Sequence, residues 1–148
     1  MKVLLLLVVS MTFILTVFQF PLRKRTDDLN KHEHEVPFRG TEVGETLKRA
    51  CGDCHSNQTN WPWYSHVAPV SWWIHNHVRQ AQRELNFSGW EMYPAAQRRD
   101  ELESICGIIS IGRMPPRSYR LVHPQATLSA QEKEAICAWA NSEAERNK

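Results

Sequence analysis

The run CGDCH sets Cys51 and Cys54 three positions apart and places His55 directly after the second. On a helix that spacing brings the two sulfurs onto one face, about one turn apart. Three chemistries use such a pair. A structural zinc site wants four tetrahedral ligands, usually as two short pairs, and His66, His75, His77 and Cys106 form no second pair. A thioredoxin-like redox pair needs a βαβ setting, and no stretch of this chain alternates convincingly as a strand. Covalent haem fits the motif better, because its two vinyl groups are spaced to take thioethers from cysteines one helical turn apart. The expectation is haem c, one per chain, held by Cys51 and Cys54 with His55 as the proximal iron ligand.

The flanking sequence agrees with that chemistry. Val3 to Phe20 carries no charge and is preceded by Lys2, so residues 1–22 read as a signal anchor or transmembrane helix. No small-x-small site follows, which favours an uncleaved anchor over a cleaved, soluble periplasmic form. Arg23, Lys24 and Arg25 come next, and the positive-inside rule alone would hold them in the cytoplasm. Charge therefore leaves topology open, but covalent haem is attached on the outer side of the bacterial inner membrane. That places the domain in the periplasm, single-pass.

Residues 23–40 read as a polar tether, with His32 and His34 as incidental members. Residues 1–25 hold four basic and no acidic side chains, leaving 14 basic against 16 acidic, a net of −2, in the remainder. No nucleic-acid footprint exists there. Mean hydropathy over the chain is −0.48 despite the apolar leader. So polar a domain, spanning 41–148, is short of buried area and suits stabilisation by a cofactor or cross-link.

Four helices are expected in it. Thr41 is an N-cap candidate, followed by Val43, Leu47, Ala50, Cys51 and Cys54 on one face. Pro69 suits the first turn of a second helix with the stripe Val70, Ile74, Val78, Ala81 and Leu85. A third follows Pro94, buries Leu102, Ile105, Cys106 and Ile109, and ends at Gly112. The prolines of RMPPRSYRLVHPQA argue for a loop without regular structure. Ser129 with Glu132 forms a capping box opening the last helix, which turns Ile136, Trp139 and Ala140 inward. The fold class is all-α.

The distal iron ligand is expected to be Met114, since GRMPP follows a helix end and its prolines hold the sulfur in place; methionine opposite histidine raises the potential. Met92 reads as ordinary packing and His77 as a hydrogen-bonded core histidine. His66 and His123 read as local loop residues, His123 bracing the methionine loop. Trp61, Trp63, Tyr64 and Trp73 suit the wall of a flat apolar cofactor, against the plainer reading that some pack between helices. Cys106 and Cys137 are left as either a disulfide or two buried thiols, because sequence does not show their separation.

These residues resemble the family called the haem-binding domain, small single-haem c-type cytochromes behind an N-terminal anchor. The resemblance covers roughly residues 40–145. It rests on the haem motif together with WPWYS at 61–65, PVSWW at 69–73, LNFS at 85–88, MPP at 114–116, HP at 123–124 and LS at 128–129. It implies a cytochrome c-like fold with thioethers at Cys51 and Cys54, His55 proximal and, by position, Met114 distal. The RKR after the anchor and the extra cysteine pair depart from it.

The expected function is one-electron transfer by Fe(II)/Fe(III) cycling, without bond-making catalysis, to an unidentified redox protein. Arg113, Arg117 and Arg120 flank the methionine loop and offer a basic rim for an acidic partner. The alternatives are a haem sensor or gas-binding module, and a peroxidase-like enzyme with an open distal site.

Overall fold

A computed structural model describes residues 2–19 and 40–147. Among them there is no strand, and six α-helices are joined by three 3₁₀ turns. The polar tether, His32 and His34 lie outside the described residues.

Helix α1, Lys2–Gln19, is apolar along most of its length, and its large apolar side chains described between Val3 and Ile14 are exposed. Its 18 residues rise about 27 Å, against a hydrocarbon core of about 30 Å. Among the described residues no helix is long and apolar enough to cross a membrane.

Helix α2, Glu42–His55, starts where the cap predicts: Thr41 Oγ1 accepts from the Gly44 N–H at 3.0 Å. It buries Leu47 and Ala50 and carries both motif cysteines in its last two turns. Helix α3, Val70–Glu84, follows Pro69, which is the residue before the helix rather than its first turn. Its stripe is buried at Val78 and Leu85, whereas Val70 stands exposed, so the apolar face reaches the core only from the helix middle onward. A 3₁₀ turn, Phe87–Met92, buries Phe87 and Trp90; nothing in the helical periodicity anticipates it.

Helix α4, Ala95–Ser110, buries Leu102, Ile105 and Ile109. Gly112 closes it at φ +69°, donating to Ile109 O while Arg113 N–H reaches Ile108 O at 3.2 Å. That left-handed backbone favours glycine. The expected proline loop is corrected here. Arg117–Val122 forms a short helix, α5, because Pro116 precedes its first turn and Pro124 lies beyond its end, leaving seven proline-free residues between.

Helix α6, Ala130–Arg146, opens with the full capping box: Glu132 N–H donates to Ser129 Oγ at 3.1 Å and Ser129 N–H to Glu132 Oε2 at 2.7 Å. It packs along α4, where Ile136 and Ala140 are wholly buried. Cys106 and Cys137 join the two helices in a disulfide, with Cα atoms 4.8 Å apart. Arg49 ties α2 to the same helix through Glu132 and to the 3₁₀ turn Pro124–Ala126 through the Gln125 carbonyl.

Candidate functional site

Two cavities flank the end of α2. The larger, about 550 Å³, is lined by Leu47, Cys51 and His55 of α2, by Leu85 and Phe87, by Ile105, Ile108 and Ile109 of α4, and by Met114. Cavities that hold a small-molecule cofactor run roughly from 300 to 1,000 Å³. Cys51 and His55 thus share one apolar chamber with Met114, which lies 59 residues beyond His55 in sequence. Gln80, Arg83, Glu84, Glu101 and Ser104 make its polar part. Burial, with Glu84 and Asp100 nearby, holds the Glu101 carboxyl above its ordinary range, an accepted contact with Gln97 opposing it.

His55 is aimed by the main chain. Its Nδ1 lies 3.0 Å from the Leu85 carbonyl, and because a carbonyl only accepts, Nδ1 carries the proton. Burial lowers the imidazole pKa despite that bond, so the ring is neutral and Nε2 keeps a lone pair for a metal. Phe87 stands near edge-on to the ring at 6.3 Å.

The Leu85 carbonyl is itself held by a polar mesh. Asn86 N–H donates to Tyr93 Oη at 2.9 Å, Asn86 Nδ2 to Asn57 Oδ1 at 2.9 Å, and Ser88 Oγ accepts from Asn57 N–H at 3.0 Å. These contacts give LNFS its physical sense: a carbonyl for His55, a cap for the 3₁₀ turn, a core ring and an acceptor for the chain leaving α2.

Cys51 and Cys54 are half-buried and free of disulfide. Burial pushes the Cys51 thiol up to about 12, and burial with the neighbouring Asp53 carboxylate pushes Cys54 up to about 11. Neither is the low-pKa thiolate that a thiol-exchange centre uses. Among the described residues no group of three or more His, Cys, Asp or Glu gathers to hold a bare metal ion. One neutral imidazole nitrogen, one thioether sulfur and one protonated thiol around an apolar chamber, with a second thiol three residues further along α2, suit an iron carried in a macrocycle.

Cys54 lines the second, smaller cavity, about 90 Å³, with Trp61, Tyr64, Trp73, Tyr119 and His123; His77 borders both. Trp61, Tyr64 and Trp73 are thus brought to the cysteine end of the site. Trp63 is not: it is 77 % exposed and lines neither chamber. Met92, 78 % exposed, is also outside both. His77 is half-buried and stacks on Trp73 at 5.4 Å, while His75 stacks on Trp61 at 4.2 Å.

A hydrogen-bonded set around Asp53 escapes any reading of local sequence. Tyr119 Oη donates to Asp53 Oδ2 at 2.6 Å, Asn60 N–H donates to Asp53 Oδ1 at 3.1 Å, and Tyr64 Oη pairs with His123 Nε2 at 2.6 Å. His123, read from sequence as bracing the methionine loop by local bonds, reaches 59 residues back and stacks on Tyr119 at 4.3 Å. Burial and the Asp53 carboxylate raise the Tyr119 pKa, so its phenol stays protonated and donating. Together these bonds fasten α5, which follows Met114 by three residues, to the motif.

A comparison with curated proteins and with solved structures finds no match. Residues 11–142 match the family described as the haem-binding domain, a span that takes in every residue of both chambers, and the chain belongs to that family.

Proposed function

We propose that the chain is a membrane-anchored, periplasmic c-type cytochrome that carries single electrons. The observation that carries this reading is the shared chamber: Cys51, His55 and Met114 line it together, with His55 Nε2 left as its free nitrogen. Cys51 and Cys54 would hold the haem through thioethers, and His55 and Met114 would serve as proximal and distal iron ligands in a cytochrome c-like arrangement. When bound, the haem supplies an iron that alternates between Fe(II) and Fe(III).

The chain's own residues prepare the rest. Leu47, Leu85, Phe87, Ile105 and Ile109 exclude water, and a dry site lowers the reorganisation barrier to electron transfer by limiting solvent rearrangement. Pro115 and Pro116 fix the main chain after Met114, and the Tyr119–Asp53 bond holds that segment against α2. The apolar composition of α1 and of Phe20, Pro21 and Leu22 after it in the sequence supports the anchor.

The absorption spectrum of the full chain in detergent tests the assignment. A weak far-red sulfur-to-iron band in the oxidised form, and no change on adding carbon monoxide to the reduced form, are expected. Met114→Ala removes that band and lowers the potential. A wild-type spectrum that shifts with carbon monoxide would replace the carrier by a gas-binding or peroxidase-like protein.

A further inference from the structure

The charges of this domain are segregated. From Cys54 to Arg83 and from Ser104 to Gln131 the chain has no aspartate or glutamate, yet carries Arg79, Arg83, Arg113, Arg117 and Arg120. None of the five forms an ion pair among the described residues. The smaller cavity brings these two segments together, pairing Trp73 and Tyr64 from the first with Tyr119 and Val122 from the second. Asp53 also lines it, but its two oxygens are taken by Tyr119 and Asn60.

The outer side of this junction is apolar as well as cationic. Leu121 is 84 % exposed and Val122 61 %, both on α5 with the exposed Arg117, whereas Arg120 is half-buried with its Nε inside. Trp63 stands on the neighbouring 3₁₀ turn, its ring against Tyr64, which in turn bonds His123. Arginine beside exposed leucine, valine and tryptophan is the composition of a surface lying in a lipid interface: cations meet anionic headgroups while aliphatic and indole groups enter the acyl boundary.

We propose that the face built by α5 and Trp63 rests on an anionic lipid surface, that of the membrane holding α1. The inference rests on the anchor reading above. Residues 20–39 number twenty and span at most roughly 70 Å when extended, so α1 keeps this face within reach of its own bilayer. An acidic protein could meet the same side chains, but only the bilayer is held beside them permanently by the chain's own anchor.

The test is hydrogen exchange of the haem-loaded full chain in nanodiscs of phosphatidylglycerol or of phosphatidylcholine. Residues 117–123 are expected to exchange at least about tenfold more slowly in the anionic discs, and added salt removes the difference. Leu121→Glu, at a side chain touching little of the protein, abolishes the protection and leaves the haem spectrum unchanged. Equal exchange in both discs overturns the inference while the anchor stands. Protection seen only on adding soluble poly-glutamate replaces lipid by an acidic partner. Failure of the chain to stay in either disc overturns the anchor, and this inference with it.

Discussion

The α4–α6 pair and the α2–α3–α5 side are built on opposite plans. Between α4 and α6 the space is filled: Leu102, Ile136 and Ala140 pack without a chamber, and the Cys106–Cys137 disulfide covalently joins the helices. Around α2 the walls are apolar but enclose about 550 Å³, and polar bonds rather than packing hold them in place. Packing decides stability on the first side, and the position of a few polar atoms decides geometry on the second. The buried cluster runs on from this helix pair to Leu47, Ala50, Phe87 and Trp90, so the filled pair supports the walls of the site.

Ile136→Ala tests the comparison hardest. It removes a wholly buried side chain that lines neither chamber, and is expected to cost roughly 3–4 kcal/mol in urea unfolding while leaving the haem absorption unchanged. A shifted haem band would mean that the two sides are not separable. Tyr119→Phe makes the converse case, since it deletes one hydroxyl and no packing volume. Loss of the bond to a carboxylate is expected to cost about 2 kcal/mol and to disturb the haem spectrum, because Asp53 lies inside the motif.

The smallest expected effect is a pH dependence on the filled side. The Ser129 backbone N–H, with Ser129 Oγ and Arg49 adding to it, holds the Glu132 carboxyl below its ordinary value of 4.5. A carboxylate depressed on folding contributes stability that is complete above the unfolded value and lost as the pH falls through the folded one. Glu132→Gln should therefore be less stable than wild type at pH 7 and converge with it under acid, a difference read by thermal unfolding at both pH values. A constant gap would assign the effect to packing instead of charge.

What could be read from the sequence divides along the same line. Thr41, Ser129 with Glu132, and Gly112 are local signals whose partners lie within about four residues, and the structure places the helix ends where they predict. Helix α5 was hidden because three prolines in fourteen residues outweigh the seven-residue gap between Pro116 and Pro124. The chamber was legible only in part. Cys51, His55 and Met114 were named by their chemistry, but Leu85 O lies 30 residues from His55 and Tyr64 lies 59 from His123, separations that no periodicity reports. Trp90, wholly in the core, went unnoticed beside the more conspicuous tryptophans at 61–73.

The partner of His55 Nδ1 is a peptide oxygen, and that has a consequence for how the protein tolerates change. Almost any residue at position 85 supplies the same acceptor, so the orientation of the ring is insulated from point substitution there as far as the hydrogen bond is concerned. Its vulnerability lies in whatever moves the peptide plane: the final turn of α3 before it and the Asn57, Asn86 and Tyr93 contacts after it. Variants that misdirect the imidazole should accumulate at those supporting positions, several residues away from the ring they control.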